Sequence, residues 1–462
     1  MKTAHIFNFI WIGLLVSSCG NAFLDVKPNI SQRVPITLPD FGGLMDNTAK
    51  MNTRSSHHLG IIGADEIFIP EARYHAFPSY PLERWQINAY TWNEEIYVGG
   101  EGENDNPLDW NVAYERILWA NLALEGLSKI DKNENEADWN NAYGTALFHR
   151  ALNYFQLAQL FCPAYDELSA TTDIGLPLRT ESDLTIRTER ASLSHTYQLM
   201  IADLLAAAPL LPERSTTPFR PGKNTVYALL ARVYLQMGEF ASAREYAEAC
   251  LHISDGLLDY NQIDLSSNAT FLYLENENPE VIFLSSAFLI TIFKNAYFNI
   301  SPALYALYEE GDLRKEAFFS LTTAGNVRFK GNYGIADQYT SSFFTGIGLD
   351  EVFLIRAECN ARMGNLDDAL GDLNRLRKHR YLPNNFESVY SDNTTEVLDW
   401  VLLERRKELV LRGLRWGDLK RLNKDPDLQM TLTRTLGTEI IDLPPGSSRY
   451  VWPVPMEVKG RY

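Results

Sequence analysis

The stretch NTVYALLARVYLQMGEFASAREYAEACL, residues 224–251, is the part of the sequence that most clearly indicates the fold. Its apolar and small residues recur every three or four positions on both sides of Gly238, which is the spacing of a buried helix face. Gly238 permits a tight turn between the two helices. Ala231 and Ala243 would let the helices approach closely because their side chains are small. The stretch therefore predicts a helix–turn–helix unit.

A second copy of this pattern occupies residues 350–377, DEVFLIRAECNARMGNLDDALGDLNRLR. Here Ala357 matches the first helix, Gly364 the turn and Ala369 the second helix. Both copies resemble a tetratricopeptide repeat, whose units normally follow one another at about 34 residues. Gly238 and Gly364 are 126 residues apart. The sequence therefore predicts interrupted repeats and not a plain solenoid.

The sequence on either side of the repeats completes a mostly α fold with an inserted, loop-rich mixed lobe. Helical periodicity also marks residues 110–127, 138–161 and 191–208, whereas VIFLSSAFLITIF, residues 281–293, is partly strand-like. We divide the chain into a signal peptide (1–18), an N-terminal segment with loops (19–109), a helical repeat scaffold (110–255), the inserted lobe (256–349) and a C-terminal region with the second repeat (350–462).

Composition and charge indicate a globular protein and argue against nucleic-acid binding. The chain has 462 residues, 45% of them hydrophobic and 22% charged, which is typical of a globular protein. Its net charge is −17 and its pI is near 5.0. Nucleic-acid binding normally needs a basic surface, so this acidic balance argues against it.

The first residues, MKTAHIFNFIWIGLLVSSC, have the pattern of a bacterial lipoprotein signal. Lys2 supplies the positive charge, and Ile6 to Val16 form an apolar stretch of 11 residues. That stretch is too short to cross a membrane as a helix but suits a signal peptide. Val16-Ser17-Ser18-Cys19 resembles a lipobox, which implies a lipid on the Cys19 thiol and a mature chain that begins there. An ordinary signal peptide with an incidental cysteine is the alternative.

The remaining cysteines do not form a recognisable functional motif. Cys162, Cys250 and Cys359 each lie in a helical pattern beside apolar residues. An odd number cannot pair completely, and no CxxC or Cys/His cluster is present. We interpret them as small buried apolar residues and expect neither a zinc site nor another metal site.

Four features occur in an order that resembles a known family. The lipobox is followed by FLDVKP (23–28), and the interrupted repeats come next. Then follow ERRKELVLRGLRWGDLKR (404–421), here called the signature block, and WPVPME (452–457). Together they resemble the SusD/RagB family of Bacteroidetes outer-membrane lipoproteins over essentially the whole mature chain. We interpret the charges of the signature block as ion pairs that hold the fold, with Glu404, Glu408 and Arg412 as helix neighbours.

The resemblance implies a function in nutrient uptake. Family members lie on the cell surface over a SusC-type TonB-dependent outer-membrane barrel, capture a glycan or oligosaccharide and deliver it to that transporter. Family members also cover the transporter as a lid, and some of them take peptides. A lid that captures a peptide is therefore the main alternative. The resemblance implies no catalysed reaction and no cofactor.

Two aromatic stretches outside the repeats are candidates for the ligand surface. Aromatic faces can pack against the C–H face of a sugar ring, and polar side chains can bind its hydroxyls. Residues 68–97 contain eight aromatic residues among arginines and asparagines, and residues 268–298 include Tyr273, Phe288, Phe293 and Tyr297 with Asn295. The candidates from these stretches are Tyr74, Tyr80, Trp85 and Tyr297. Local packing is the competing interpretation for each one, and we assign Trp92 to the core.

Enzymatic motifs are missing from the sequence. It contains no HExxH, GxSxG, GxxxxGK[ST] or GxGxxG. Asp65-Glu66 is the acidic pair most worth examining because it precedes the first aromatic stretch, and His57-His58 lacks a third metal ligand nearby. A surface glycosidase or a repeat-based protein scaffold remains a less favoured alternative.

Overall fold

Helices form most of the regular structure. The computed structural model describes residues 35–77, 81–97, 108–268, 270–271, 278–294, 297–333 and 342–455. Within these residues the first eight helices are α1 (Leu38–Met45), α2 (Thr48–Met51), α3 (His58–Gly63), α4 (Glu71–His75), α5 (Pro81–Tyr90), α6 (Leu108–Leu127), α7 (Glu136–Phe161) and α8 (Leu193–Ala207). The next eight are α9 (Lys223–Met237), α10 (Phe240–Ile253), α11 (Pro302–Tyr305), α12 (Arg314–Phe318), α13 (Leu349–Arg362), α14 (Leu366–Lys378), α15 (Thr394–Glu408) and α16 (Arg415–Leu422). The mostly α prediction is confirmed.

The strands are short and pair only in twos within the described part of the chain. They are β1 (Ile67–Phe68), β2 (Ile174–Pro177), β3 (Arg190–Ser192), β4 (Val281–Phe283), β5 (Ser286–Phe288), β6 (Asn299–Ile300), β7 (Phe319–Leu321), β8 (Val327–Phe329), β9 (Ser342–Phe344), β10 (Ile347–Gly348), β11 (Leu432–Leu436) and β12 (Glu439–Leu443). The antiparallel pairs are β1 with β6, β2 with β3, β4 with β10, β5 with β9, β7 with β8 and β11 with β12. Most of these strands lie in the inserted lobe.

Both predicted repeats are helix–turn–helix units. Gly238 joins α9 to α10 with φ +80°, and Gly364 joins α13 to α14 with φ +79°. This left-handed conformation favours glycine because it has no Cβ to clash with the backbone. Ala231 and Ala243 are fully buried, as the first repeat requires. The helices α10 and α13 pack together, so the two repeats are neighbours despite their separation in the sequence.

One main hydrophobic core runs through most of the molecule. It extends from Phe41 in α1 to Val454 near the end of the described chain and includes side chains of the inserted lobe such as Phe283 and Phe343. A smaller core joins α13, α14 and α15 around Ala361, Leu373 and Val401. The lobe is therefore packed onto the scaffold by shared apolar side chains. The segment boundaries given above stay a prediction.

The signature block connects distant parts of the chain through buried ion pairs. Arg405 Nε lies 2.8 Å from Asp418 Oδ2, and Arg421 contacts both Asp418 and Glu358. Glu408 accepts from Arg380 in the turn after α14 and from Arg314 in the inserted lobe. The interpretation of these charges as structural ion pairs agrees with this geometry.

The predicted place of Arg412 within the signature block is wrong. The helix α15 ends at Glu408, and Leu411 has φ +57°, so Arg412 is not on the helix face of Glu404 and Glu408. Arg412 Nη2 instead lies 2.7 Å from Asp350 Oδ2 at the start of α13. The chain turns here because the following Gly413 has φ +76°. This turn directs the arginine to the second repeat.

Candidate functional site

The two aromatic stretches that were predicted separately meet in the structure. The strand β1 pairs with β6 antiparallel, so that Phe68 stands opposite Asn299 and Ile67 opposite Ile300. More than 200 residues of chain separate the two strands. The pairing places α4, which carries Tyr74, close to the segment that carries Tyr297.

Phe77 contacts Tyr74 through the backbone and Tyr297 through its ring. The Phe77 amide donates to the Tyr74 carbonyl at 3.2 Å. The Phe77 ring is buried and meets the Tyr297 ring edge to face, with the ring centroids 5.1 Å apart. Tyr74 and Tyr297 themselves are only half-buried. Phe77 thus holds the base of the arrangement while both tyrosines keep surface for a ligand. We call Tyr74, Tyr297, Arg73 and Asn299 the tyrosine site.

Polar side chains complete the tyrosine site. Arg73 Nη1 donates to Asn299 Oδ1 at 3.2 Å, and Asn299 Nδ2 donates to Asn326 Oδ1 at 3.1 Å. Arg328 donates to the Phe298 carbonyl. Burial and the neighbouring charge of Arg73 lower the pKa of Arg328 below its ordinary value. The site therefore combines two half-buried aromatic rings with the partly exposed guanidinium of Arg73, whose N–H groups can bind hydroxyls. Asn299 is buried and holds that guanidinium in place.

Further hydrogen bonds attach the inserted lobe to α5, which belongs to the first aromatic stretch. Gln86 Oε1 accepts from the Ile292 amide at 2.8 Å, and Glu83 Oε1 accepts from Thr291 Oγ1 at 2.5 Å. Gln86 is buried. These bonds hold the two stretches in one arrangement, so the tyrosine site rests on a fixed base.

The other candidates have different positions. Trp85 is 5% exposed and lies in the main core, because α5 is buried from Trp85 to Tyr90. Its ring has no free face for a sugar, so the structure argues against a ligand contact there. Trp92 lies in the core as predicted, and its indole donates to the Gly63 carbonyl at 2.9 Å. Tyr80 and Cys19 lie outside the described residues.

The acidic pair Asp65-Glu66 has a structural role. Asp65 binds Arg406 at 2.6 Å and Arg415 at 2.8 Å. Burial alone would raise the pKa of Asp65, but these guanidinium groups hold it at about 2. Glu66 Oε1 accepts from the Leu411 amide at 2.8 Å. Burial raises the pKa of Glu66 to about 7 despite that hydrogen bond. Both carboxylates face the signature block and not an open cleft.

The histidine pair and the three remaining cysteines are also buried in the protein interior. His58 Nδ1 lies 2.7 Å from Asp109 Oδ1, and its Nε2 lies 3.0 Å from the Phe288 carbonyl. Burial lowers the pKa of His57 to about 3. Cys162, Cys250 and Cys359 are buried and unpaired, as predicted. Across the described ranges no three His, Cys, Asp or Glu side chains gather closely enough to hold a metal ion.

Asn299, Asn326 and Arg328 were not singled out in the sequence. Nothing in a single sequence indicates that β6 pairs with β1 or that Asn326 reaches Asn299, because these contacts join segments far apart in the chain or across a turn. Arg73 belongs to the first aromatic stretch, but only the structure shows that it donates a hydrogen bond to the side-chain amide of Asn299.

Comparison with known families identifies two regions of the chain. A SusD-like family described as starch-binding and associating with the outer membrane matches residues 22–235. The SusD family matches residues 315–453. Two SusD-like proteins of Formosa agariphila, P2 and P38, are 25% and 23% identical to this chain. These matches span 68% and 69% of this chain and 71% and 72% of the relatives.

Solved structures share the same fold. A SusD superfamily protein from Bacteroides thetaiotaomicron superimposes with a TM-score of 0.74 at 20% identity, covering 92% of this chain and 98% of that one. A SusD-like carbohydrate-binding protein from Bacteroides vulgatus gives a TM-score of 0.69 at 20% identity, covering 92% of this chain and 96% of that one. At this level of identity the likeness concerns the fold.

Proposed function

The chain belongs to the SusD/RagB family, and from that premise we propose that it captures a glycan at the cell surface for a SusC-type TonB-dependent transporter. One observation carries the ligand part of the proposal. The β1–β6 pairing joins Tyr74 and Tyr297 with the polar pair Arg73 and Asn299 on a fixed base. Half-buried rings beside hydrogen-bonding side chains suit a sugar, whose rings are apolar on their faces and polar at their edges.

The glycan assignment is also supported by what related proteins bind. The family that matches residues 22–235 is described as starch-binding, and the similar protein from Bacteroides vulgatus is described as carbohydrate-binding. Peptide capture by the same kind of lid would need the same exposed surface. The choice between the two ligand classes is therefore left to the binding experiment below.

Capture without catalysis is part of the proposal. The acidic pair that precedes the first aromatic stretch, Asp65-Glu66, is engaged by Arg406, Arg415 and the Leu411 amide. Glycosidase carboxylates instead face each other across a substrate cleft about 5–10 Å wide. The family is described in terms of binding, which supports the same conclusion.

The proposed location is the outer membrane, with the protein anchored through Cys19. No helix in the described ranges is long and apolar enough to cross a membrane. Several acyl chains on one cysteine suffice for stable anchoring. An anchored lid would stay beside its barrel, which supports delivery of the captured glycan.

The tyrosine site can be tested by native affinity electrophoresis of the full-length chain in detergent. Gels would contain plant, host and microbial polysaccharides in turn. We expect one glycan to retard the protein and expect Tyr74→Ala and Tyr297→Ala to reduce that retardation at least fivefold, because each removes a ring face. Tyr390→Ala is the matched control because Tyr390 is 77% exposed and lies in the segment between α14 and α15, outside the site.

Two results would change this account in different ways. Retardation that both tyrosine substitutions leave intact would retain glycan capture and overturn the tyrosine site. Absence of retardation by every glycan, together with binding of a peptide library, would replace the glycan with a peptide ligand.

A further inference from the structure

A cavity that contains no residue of the tyrosine site lies between α6 and the loop that follows β2. Its volume is about 400 Å³, which is within the range of ligand sites in proteins. The apolar part of its lining includes Tyr114, Leu118 and Leu184, and the polar part includes Asn111, Arg179 and Glu181. It was not predicted from the sequence, in which residues 163–190 read as a charged loop.

Side chains of α6 and α7 hold the loop that forms one wall of the cavity, mainly through hydrogen bonds to its backbone. Asn121 Nδ2 donates to the carbonyls of Arg179 at 3.0 Å and Glu181 at 3.2 Å. Tyr154 Oη donates to the same Arg179 carbonyl at 2.7 Å. The Glu125 carboxylate accepts from the amide and hydroxyl of Ser182 at 2.5 and 2.6 Å. A wall held this way needs little ordering when a ligand binds, which favours affinity.

Arg179 is the basic residue that this fixed loop contributes to the cavity lining. Within the described residues, the Arg179 guanidinium makes no ion pair or hydrogen bond, although the Arg179 carbonyl makes two. Glu115 in the same lining is different, because Lys50 lies 2.5 Å from its carboxylate. Arg179 thus supplies a guanidinium without an ion-pair partner, in the part of the chain that the structure describes, to a mostly apolar cavity that the Glu181 carboxylate also lines.

One apolar side chain of the lining is largely exposed to solvent. Leu184 is 67% exposed, and Ile186 in the same loop is 42% exposed. Tyr114 is half-buried, and its hydroxyl donates to the Pro177 carbonyl at 2.9 Å, which fixes the ring. Apolar side chains left open beside a cavity commonly mark a binding surface.

We propose that this cavity binds a uronic-acid unit of an acidic glycan. The C–H face of the sugar packs against Tyr114 and Leu184, and Arg179 forms a bidentate pair with the sugar carboxylate. Asn111 and Glu181 are placed to bind ring hydroxyls. The inference rests on the proposed glycan capture and adds the charge class of the ligand, since a neutral sugar would leave Arg179 without a counter-ion.

The test compares acidic oligosaccharides with their uncharged methyl esters. The full-length chain in detergent would be titrated calorimetrically with hexamers of galacturonate, of mannuronate and of glucuronate, and with the methyl ester of each. We expect at least one acid to bind at least tenfold more tightly than its ester. Arg179→Gln should abolish that difference. Arg187→Gln is the control, because Arg187 is an exposed arginine of the same loop that does not line the cavity.

The outcomes separate this inference from the proposed function. Equal binding of acid and ester, binding of none of the three acids, or an acid preference that survives Arg179→Gln would each overturn the uronic-acid site. Retardation by a neutral glycan that depends on Tyr74 would still support capture at the tyrosine site in those cases. An acid preference lost equally in both arginine variants would also overturn the site, because it would reflect the general charge of the loop.

Discussion

At the scale of single residues, the turn after α15 depends on Gly413. Its φ is +76°, and a Cβ at this position would lie 2.4 Å from the His57 ring. Both the backbone conformation and the contact exclude a larger residue. This glycine therefore fixes the direction of the chain after the end of α15.

We predict that Gly413→Ala destabilises the protein by at least about 2 kcal/mol, since it adds backbone strain and a clash. Gly371→Ala should have the opposite effect, a gain of about 0.5–1 kcal/mol, because Gly371 lies within α14 and a Cβ there meets nothing within 4 Å. Denaturation in guanidinium chloride measures both. Equal stability of the Gly413→Ala variant and the parent would contradict the proposed constraint.

Glu66 makes stability depend on pH. Burial raises its pKa from 4.5 to about 7 in the folded protein. The folded state therefore holds a proton that the unfolded state releases, so this contribution is complete below about pH 4.5 and is lost as pH rises through 7. Glu66→Gln is neutral at every pH and retains an oxygen that can accept from the Leu411 amide.

The predicted result is a pH-dependent gain in stability for Glu66→Gln. Relative to the parent, the variant should become more stable between pH 5 and 8, by on the order of 2–3 kcal/mol at the upper end. Urea denaturation at several pH values measures the difference. A difference that is constant across this range would show that Glu66 does not titrate between the two states as argued.

At the scale of secondary-structure elements, the repeats depend on small residues between paired helices. Ala243 in α10 is fully buried, whereas Ala241 in the same helix is exposed. We predict that Ala243→Leu costs about 1–3 kcal/mol through overpacking. Ala241→Leu should change stability by less than about 0.5 kcal/mol. Thermal unfolding of the two variants would contradict the packing argument if their midpoints fell by the same amount.

The repeat elements could be predicted from the sequence because their signals are local. The glycines at the two turns and the alanines on the facing helices lie within 28 residues of one another in each copy. The end of α15 was missed, since Arg412 fits the helical spacing and only the turn at Leu411 and Gly413 redirects it. Local periodicity does not indicate where such a turn competes with a helix.

The candidate site was predicted only in part. Aromatic stretches outside the repeats, with arginine and asparagine among them, pointed to Tyr74, Tyr80 and Tyr297. The same criterion selected Trp85, which is buried. Aromatic residues serve equally in a core and on a surface, so composition cannot separate the two. Burial separates Trp85 from Tyr74 and Tyr297, and it depends on contacts between distant segments such as the β1–β6 pair.

At the scale of the whole molecule, the helical repeats and the proposed ligand surface occupy different parts of one packed body. The main core joins the N-terminal segment, the scaffold and the inserted lobe. The tyrosine site is formed where the lobe meets the N-terminal segment. Ion pairs of the signature block connect α15 with the lobe, through Arg314 and Glu408, and the turn after α15 with α13, through Arg412 and Asp350. The scaffold thus fixes the relative position of loops that carry the ligand groups.

The central claim is that this protein captures a glycan and leaves it intact. The most direct measurement incubates the full-length chain with the polysaccharide that retards it most strongly and follows both retention and reducing ends over time. We predict retention of the polymer, lost in Tyr74→Ala, with no increase in reducing ends. Release of reducing ends in step with protein concentration would contradict the account and identify an enzyme.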